Sequence, residues 1–172
     1  MTRYLIAYYS WTGNTAKVAN AIAEVLSADI EEIHDLKPRG GPFAFAAASF
    51  ASVLQRSAPI AAPTKRVADY DVVILGCPVW ASNMATPMRT FITQEKSGIK
   101  QVALFCTLGG SGGKVALAKM AALCGCTSLA DLMVDQPALA SGNWRGLTEN
   151  FAREVGKNEV TSLGAAARGD SR

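Results

Sequence analysis

Arg3-Tyr4-Leu5-Ile6-Ala7-Tyr8-Tyr9, then Ser10-Trp11-Thr12-Gly13-Asn14-Thr15, then Val18, Ile22, Val25 and Leu26 at i, i+4, i+7 and i+8: this run decides the fold. The first piece is continuously apolar and aromatic and has strand length, as expected of a strand buried on both faces of a parallel sheet. After Ser10 the period changes. Val18, Ile22, Val25 and Leu26 form one stripe while Lys17, Asn20 and Glu24 lie opposite, which predicts an amphipathic helix. The six residues between are therefore a strand-to-helix turn built of hydroxyl and small side chains.

The same alternation continues along the chain. Residues 28–36 alternate acidic and apolar positions and read as a second, more exposed edge strand. Residues 72–75 are a third strand, fully apolar and closed by Gly76. Thr86 followed by Pro87 predicts an N-cap and a first helical residue, with Met88, Phe91 and Ile92 facing inward. Residues 102–106 are strand four, and the glycine-rich Gly109-Gly110-Ser111-Gly112-Gly113 leads into a helix carrying Leu117, Met120, Ala121 and Cys124 on one face. Residues 129–134 are strand five, followed by a last helix with Trp144, Leu147, Phe151 and Val155 inward. Strand and helix in alternation predict an α/β domain over residues 1–160: a three-layer sandwich with a five-stranded parallel sheet, order 2-1-3-4-5, and helices on both faces. Residues 161–172 are small and polar and read as a flexible tail. Residues 41–55, uncharged and carrying Phe43, Phe45, Phe50, Val53 and Leu54, leave two readings open: a covering helix with its approach loop, or an apolar patch serving a homodimer interface or a lid.

Composition closes off other classes. The chain has 172 residues, 49% of them hydrophobic and 18% charged, enough apolar content for one core and too much for a disordered chain. The net charge of +3 comes without a basic run, so no nucleic-acid partner is expected. Four cysteines, Cys77, Cys106, Cys124 and Cys126, with one histidine are too few for a disulfide scaffold and a poor metal set, which fits a reducing cytoplasm. No apolar stretch approaches the ~20 residues of a membrane span.

In an open parallel sheet a ligand sits beyond the carboxyl ends of the strands at the point where their order reverses, here between strands one and three. Three loops meet there. The first, Ser10-Trp11-Thr12-Gly13-Asn14-Thr15, presents backbone N–H groups at the positive end of a helix and adds hydroxyl donors, so it can cradle a phosphate without a lysine. It matches neither the P-loop nor the dinucleotide fingerprint. The second, from Gly76 through Cys77, Pro78, Val79, Trp80, Ala81, Ser82, Asn83 and Met84 to Pro87, offers Trp80 as a flat face for an aromatic ring. The third, Thr107-Leu108-Gly109-Gly110-Ser111-Gly112-Gly113, lets backbone approach a ligand closely.

The first loop, in this position after strand one, resembles the [ST]-x-T-G-x-T phosphate loop of the flavodoxin family, and the resemblance extends from Tyr4 to about Val155. It implies a flavodoxin-like fold and FMN as cofactor. By that resemblance Ser10, Trp11, Thr12, Gly13, Asn14 and Thr15 form the phosphate loop. Pro78, Val79, Trp80 and Ala81 flank the ring, with Trp80 packed on it, and Thr107, Leu108, Gly109, Gly110 and Gly112 line its second side. The implied function is electron transfer through the bound flavin, with a redox partner protein. The third loop lacks the tyrosine and acidic residues of electron-carrier flavodoxins. An uncovered ring would admit NAD(P)H and a small acceptor, as in the flavodoxin-like NAD(P)H:quinone reductases. No side chain stands out as a general acid or base, and flavin chemistry requires none.

Two rivals come from the same residues. Gly109-Gly110-Ser111-Gly112-Gly113 satisfies the G-x-S-x-G elbow of serine hydrolases between a strand and a helix, but His34, the sole histidine, lies upstream of Ser111. Cys77 and Cys106 close adjacent strands and read as small buried hydrophobes, or alternatively as redox-active thiols near the flavin.

Overall fold

The computed structural model describes residues 2–36 and 57–169. The 41–55 segment lies outside them. The elements are β1 (Tyr4–Tyr8), α1 (Asn14–Leu26), β2 (Asp29–Glu32), β3 (Val72–Trp80), β4 (Asn83–Met84), α2 (Thr86–Glu95), β5 (Val102–Leu108), α3 (Gly113–Cys124), β6 (Ser128–Asp135), α4 (Gln136–Ser141) and α5 (Trp144–Gly169). Five strands run parallel in the order β2-β1-β3-β5-β6, and the two-residue β4 pairs antiparallel with the end of β3. Without β4 the order is the expected 2-1-3-4-5.

The continuous apolar strands are explained by the two layers they separate. Alternate residues point to opposite faces of a strand. Leu5, Ala7, Val73, Leu75, Val102 and Leu104 pack with Met88, Phe91 and Ile92 of α2 and with Leu117 and Met120 of α3. Ile6, Tyr8, Val72, Ile74, Ala103 and Phe105 face the other way, onto Val18, Ala19 and Ile22 of α1 and Phe151 and Val155 of α5. A one-residue slip would exchange these two sets, so burial on both sides fixes the register. The parallel alignment Tyr8↔Gly76 and Pro78↔Thr107 then brings the strand ends, and the loops that leave them, to one edge of the molecule.

Several local expectations change. β3 does not stop at Gly76 but runs on to Trp80, because Gly76 sits under the Phe105 ring: a Cβ at this position would lie 1.9 Å from Phe105 Cζ. The predicted loop two is therefore mostly strand. Its only turn is Ala81-Ser82, both with positive φ (47° and 57°), which folds β4 back onto β3 as a hairpin. The second strand is shorter than predicted, and Glu31, one of its acidic positions, turns inward. Its carboxylate accepts the N–H of Thr64 (3.0 Å) and of Lys65 (3.1 Å) and the Thr64 hydroxyl (2.6 Å), anchoring the segment that returns to β3. Ala85, not Thr86, is the N-cap of α2, and Pro87 is consequently its second residue. Val25 and Leu147, placed by periodicity on buried stripes, are exposed. The α5 backbone is helical to Gly169. Among the described residues no helix is long and apolar enough to cross a membrane.

Candidate functional site

At the carboxyl edge, between the ends of β1, β3 and β5, lies a cleft of about 250 Å³. Trp11, Thr12, Asn14 and Thr15 supply one wall, Pro78, Val79 and Trp80 the second, and Thr107, Leu108 and Gly109 the third. Gln136 and Leu139 of α4 complete it. None of these side chains is charged, so an anion here would be met by dipoles and hydroxyls rather than by a cation.

The first wall is organised by Ser10. Its Oγ accepts hydrogen bonds from the N–H of Gly13 (3.1 Å) and of Ala16 (3.3 Å), while Gly13, at φ 86°, is the N-cap of α1 and its carbonyl accepts from Lys17 N–H. A helix start leaves its first N–H groups without intrahelical partners. Ser10 takes one of them, leaving those of Asn14 and Thr15 for a ligand at the positive end of the helix. No acidic side chain occupies the first turn to compete. Ser10 and Gly13 thus shape the loop without lining the cleft, whereas Trp11, Thr12, Asn14 and Thr15 face it.

In the second wall Trp80 lies deeper than expected. Trp80 is only 2% exposed, packed between Tyr9 (ring centroids 5.7 Å apart) and Trp11 (5.5 Å) at nearly right angles to each. Such T-shaped packing satisfies the ring quadrupoles and leaves little free face. Trp80 is a buttress at the back of the cleft, and the half-buried Trp11 is the aromatic surface that a planar ligand can reach. Ala81 is exposed at the hairpin tip, outside the lining, and Asn83 and Met84 are buried behind it.

Along the third wall, Gly109 and Gly110 are exposed, and among the described residues nothing lies within 4 Å of where a Cβ would stand on either. Gly110 and Gly112 do not line the cleft. Gly112 serves the architecture: at φ 92° it abuts the hairpin tip, and a Cβ there would come within 2.8 Å of the Ser82 Cα. The hydroxyls of Thr15 and Thr107, 2.8 Å apart and both buried, join the first and third walls at the floor.

Gln136 and Leu139 escaped the sequence reading although their helix carries a start signal. Asp135 caps α4 by accepting the Ala138 N–H at 2.9 Å, Pro137 stands in the first turn, and Gly142 closes the helix at φ 81°.

The rivals find no geometry. Ser111 is exposed and its backbone is outside the left-handed region, so the strained turn of a nucleophile elbow is absent. His34 lines a different cavity, with Glu31, Ile60 and Thr64 beside β2. Cys77 and Cys106 are fully buried, and burial pushes the Cys77 thiol up to about 12 and the Cys106 thiol up as well. They stay protonated at neutral pH and behave as apolar core groups. Among the described residues no group of three or more His, Cys, Asp or Glu could hold a metal ion.

A doubly wound parallel sheet with an uncharged, dipole-lined cleft at its switch point defines a protein of the class that holds small anionic ligands at strand ends. Comparison with known proteins narrows this class. Residues 3–135 match the flavodoxin family, and the chain belongs to it. Among solved structures, it is similar to a Lactobacillus acidophilus flavoprotein in complex with FMN (TM-score 0.66, 22% identity, 84% of this chain and 99% of that one). It is also similar to a WrbA-like flavodoxin protein of Agrobacterium tumefaciens (TM-score 0.57, 16% identity, 92% and 98%) and to two-electron reduced Megasphaera elsdenii flavodoxin (TM-score 0.57, 21% identity, 87% and 98%).

Proposed function

We propose that this flavodoxin-family chain binds FMN in the cleft and transfers electrons through it. The observation that carries the reading is the conjunction, in one uncharged cleft, of the α1 start with two available N–H groups and an aromatic face on Trp11. When bound, FMN supplies the redox chemistry, accepting and releasing electrons or hydride at its ring. The chain supplies position. Thr12, Asn14 and Thr15 hold the phosphate with N–H and hydroxyl donors, Trp11 backed by Trp80 packs on the ring, and Val79, Leu108 and Leu139 keep water from its edges. Among the described residues the lining offers dipoles, hydroxyls and apolar groups. What it controls is how well each charge state of the ring is solvated, and hence its potential.

A second reading draws on the third wall. Gly109 and Gly110 leave space beside the cleft among the described residues, which suits a hydride donor and a small acceptor such as a quinone. Both readings are tested together by recording the visible spectrum of the purified protein with added FMN and then following NADPH oxidation with and without a quinone. Flavin binding with quinone-dependent NADPH oxidation supports the reductase, and flavin binding without it supports the carrier. A protein that leaves the FMN spectrum unchanged contradicts both.

A further inference from the structure

The two hydroxyls on the cleft floor carry an unfinished hydrogen-bond pattern. Thr15 Oγ1 of α1 and Thr107 Oγ1 of β5 lie 2.8 Å apart, at 1% and 5% residue exposure, and 92 positions separate them in sequence. Either can be the donor. Two hydroxyls bring two protons, and the bond between them uses one. The other has no acceptor among the described residues, although both side chains line the cleft. A buried hydroxyl proton without an acceptor is costly, and a ligand atom in the cleft removes that cost.

Resting on the FMN reading above, we infer that the pair is a directional relay which lets the protein prefer a phosphorylated flavin over an unphosphorylated one, with Thr107 as a positioning residue acting through Thr15. The location of the anion sets the direction. Thr15 stands beside Asn14 in the first turn of α1, the positive end of the helix. A phosphate there draws the Thr15 proton into a charge-assisted bond. Thr15 must then accept from Thr107, whose own proton is thereby committed, and each bond strengthens the other. With riboflavin no anion sets the direction, and the same pair contributes nothing specific.

The test compares FMN and riboflavin affinity, by quenching of flavin fluorescence, in the wild type, Thr107→Val and Thr107→Ser, with melting temperatures measured in parallel. Removing a bond that supports a charged acceptor should weaken FMN binding by about tenfold in Thr107→Val. Riboflavin affinity should fall clearly less than FMN affinity, because Thr107 lines the cleft for either flavin while the relay serves the phosphate alone, and Thr107→Ser, which restores the hydroxyl, should restore the preference. Should Thr107→Val fail to fold, Thr107→Ala removes the same hydroxyl without a methyl left facing a polar partner, and the same comparison applies. Equal losses for the two flavins, or no loss for either, overturn the relay alone. A wild-type protein that binds neither flavin overturns the relay together with the FMN reading.

Discussion

The 10–15 loop and the 80–84 hairpin stand on opposite sides of one cleft and are built in opposite ways. The loop is local: Ser10 gathers the N–H groups of Gly13 and Ala16, and Gly13 takes its positive φ in open space. The hairpin is not local. Its two turn residues, Ala81 and Ser82, occupy the left-handed region without being Gly, Asn or Asp, a conformation that costs roughly 1–2 kcal/mol per residue. What offsets that cost comes from elsewhere in the chain: pairing of Val79 with Met84 and Trp80 with Asn83, the Trp80 ring wedged between Tyr9 and Trp11, and Gly112 seated against Ser82. The start of α1 is thus encoded in six consecutive residues, and the hairpin in contacts among distant segments.

The difference can be attacked by substitution. The largest effect is expected at the root of the hairpin strand, where Gly76→Ala drives a methyl into the Phe105 ring. Overpacking of this kind should cost about 3 kcal/mol, read as a fall in the urea midpoint at constant slope, and an unchanged midpoint would mean that β3 is not held there as described. Next, Gly112→Ala and Gly13→Ala introduce the same side chain at the same sign of φ. The first also collides with the Ser82 backbone, whereas the second meets nothing. Gly112→Ala should therefore cost about 2 kcal/mol more than Gly13→Ala, and equal costs would remove the contact between loop three and the hairpin from the account. Replacing Ala81-Ser82 by Asn-Gly should stabilise the protein by about 1 kcal/mol, because these residues accept the existing turn; destabilisation would show that the side chains, not the backbone, hold the tip.

A further effect appears only in alkali and lies far from both loops. The Tyr70 hydroxyl donates to Asp29 at 2.7 Å, and burial, with this bond and the Asp29 charge, raises it from 10.0 to about 12. The folded state keeps the proton longer than the unfolded one, so this contribution is complete below pH 10 and lost as pH rises toward 12. Tyr70→Phe should flatten stability across that window without altering either wall of the cleft, and a retained slope would assign the alkaline loss to other groups.

These contrasts also explain what could be read from the sequence. The buried strands, the α1 stripe and the phosphate loop follow from period and turn chemistry over short windows, and β1, α1 and the strand order came out as expected. The hairpin did not, because Ala-Ser carries no turn signal and a glycine inside a strand reads as its end; only the Phe105 ring on the neighbouring strand shows why Gly76 is there. A tryptophan near a switch point reads as a flat face for a ligand, and its depth here comes from T-shaped contacts with two other aromatics, a three-ring cluster that no single-residue reading anticipates. Glu31 read as exposed because its partners, Thr64 and Lys65, lie more than thirty positions away. Gln136 and Leu139 were legible in principle from Asp135, Pro137 and Gly142, a capped start and a glycine stop on a helix too short to show a stripe.

The central claim, that an uncharged cleft between the α1 start and Trp11 is a flavin site, is tested most directly by titrating the purified chain with FMN and following flavin fluorescence. Quenching is expected to saturate at one FMN per chain and to be weakened by Trp11→Ala. Fluorescence that stays proportional to added FMN, with no saturable component, would contradict it.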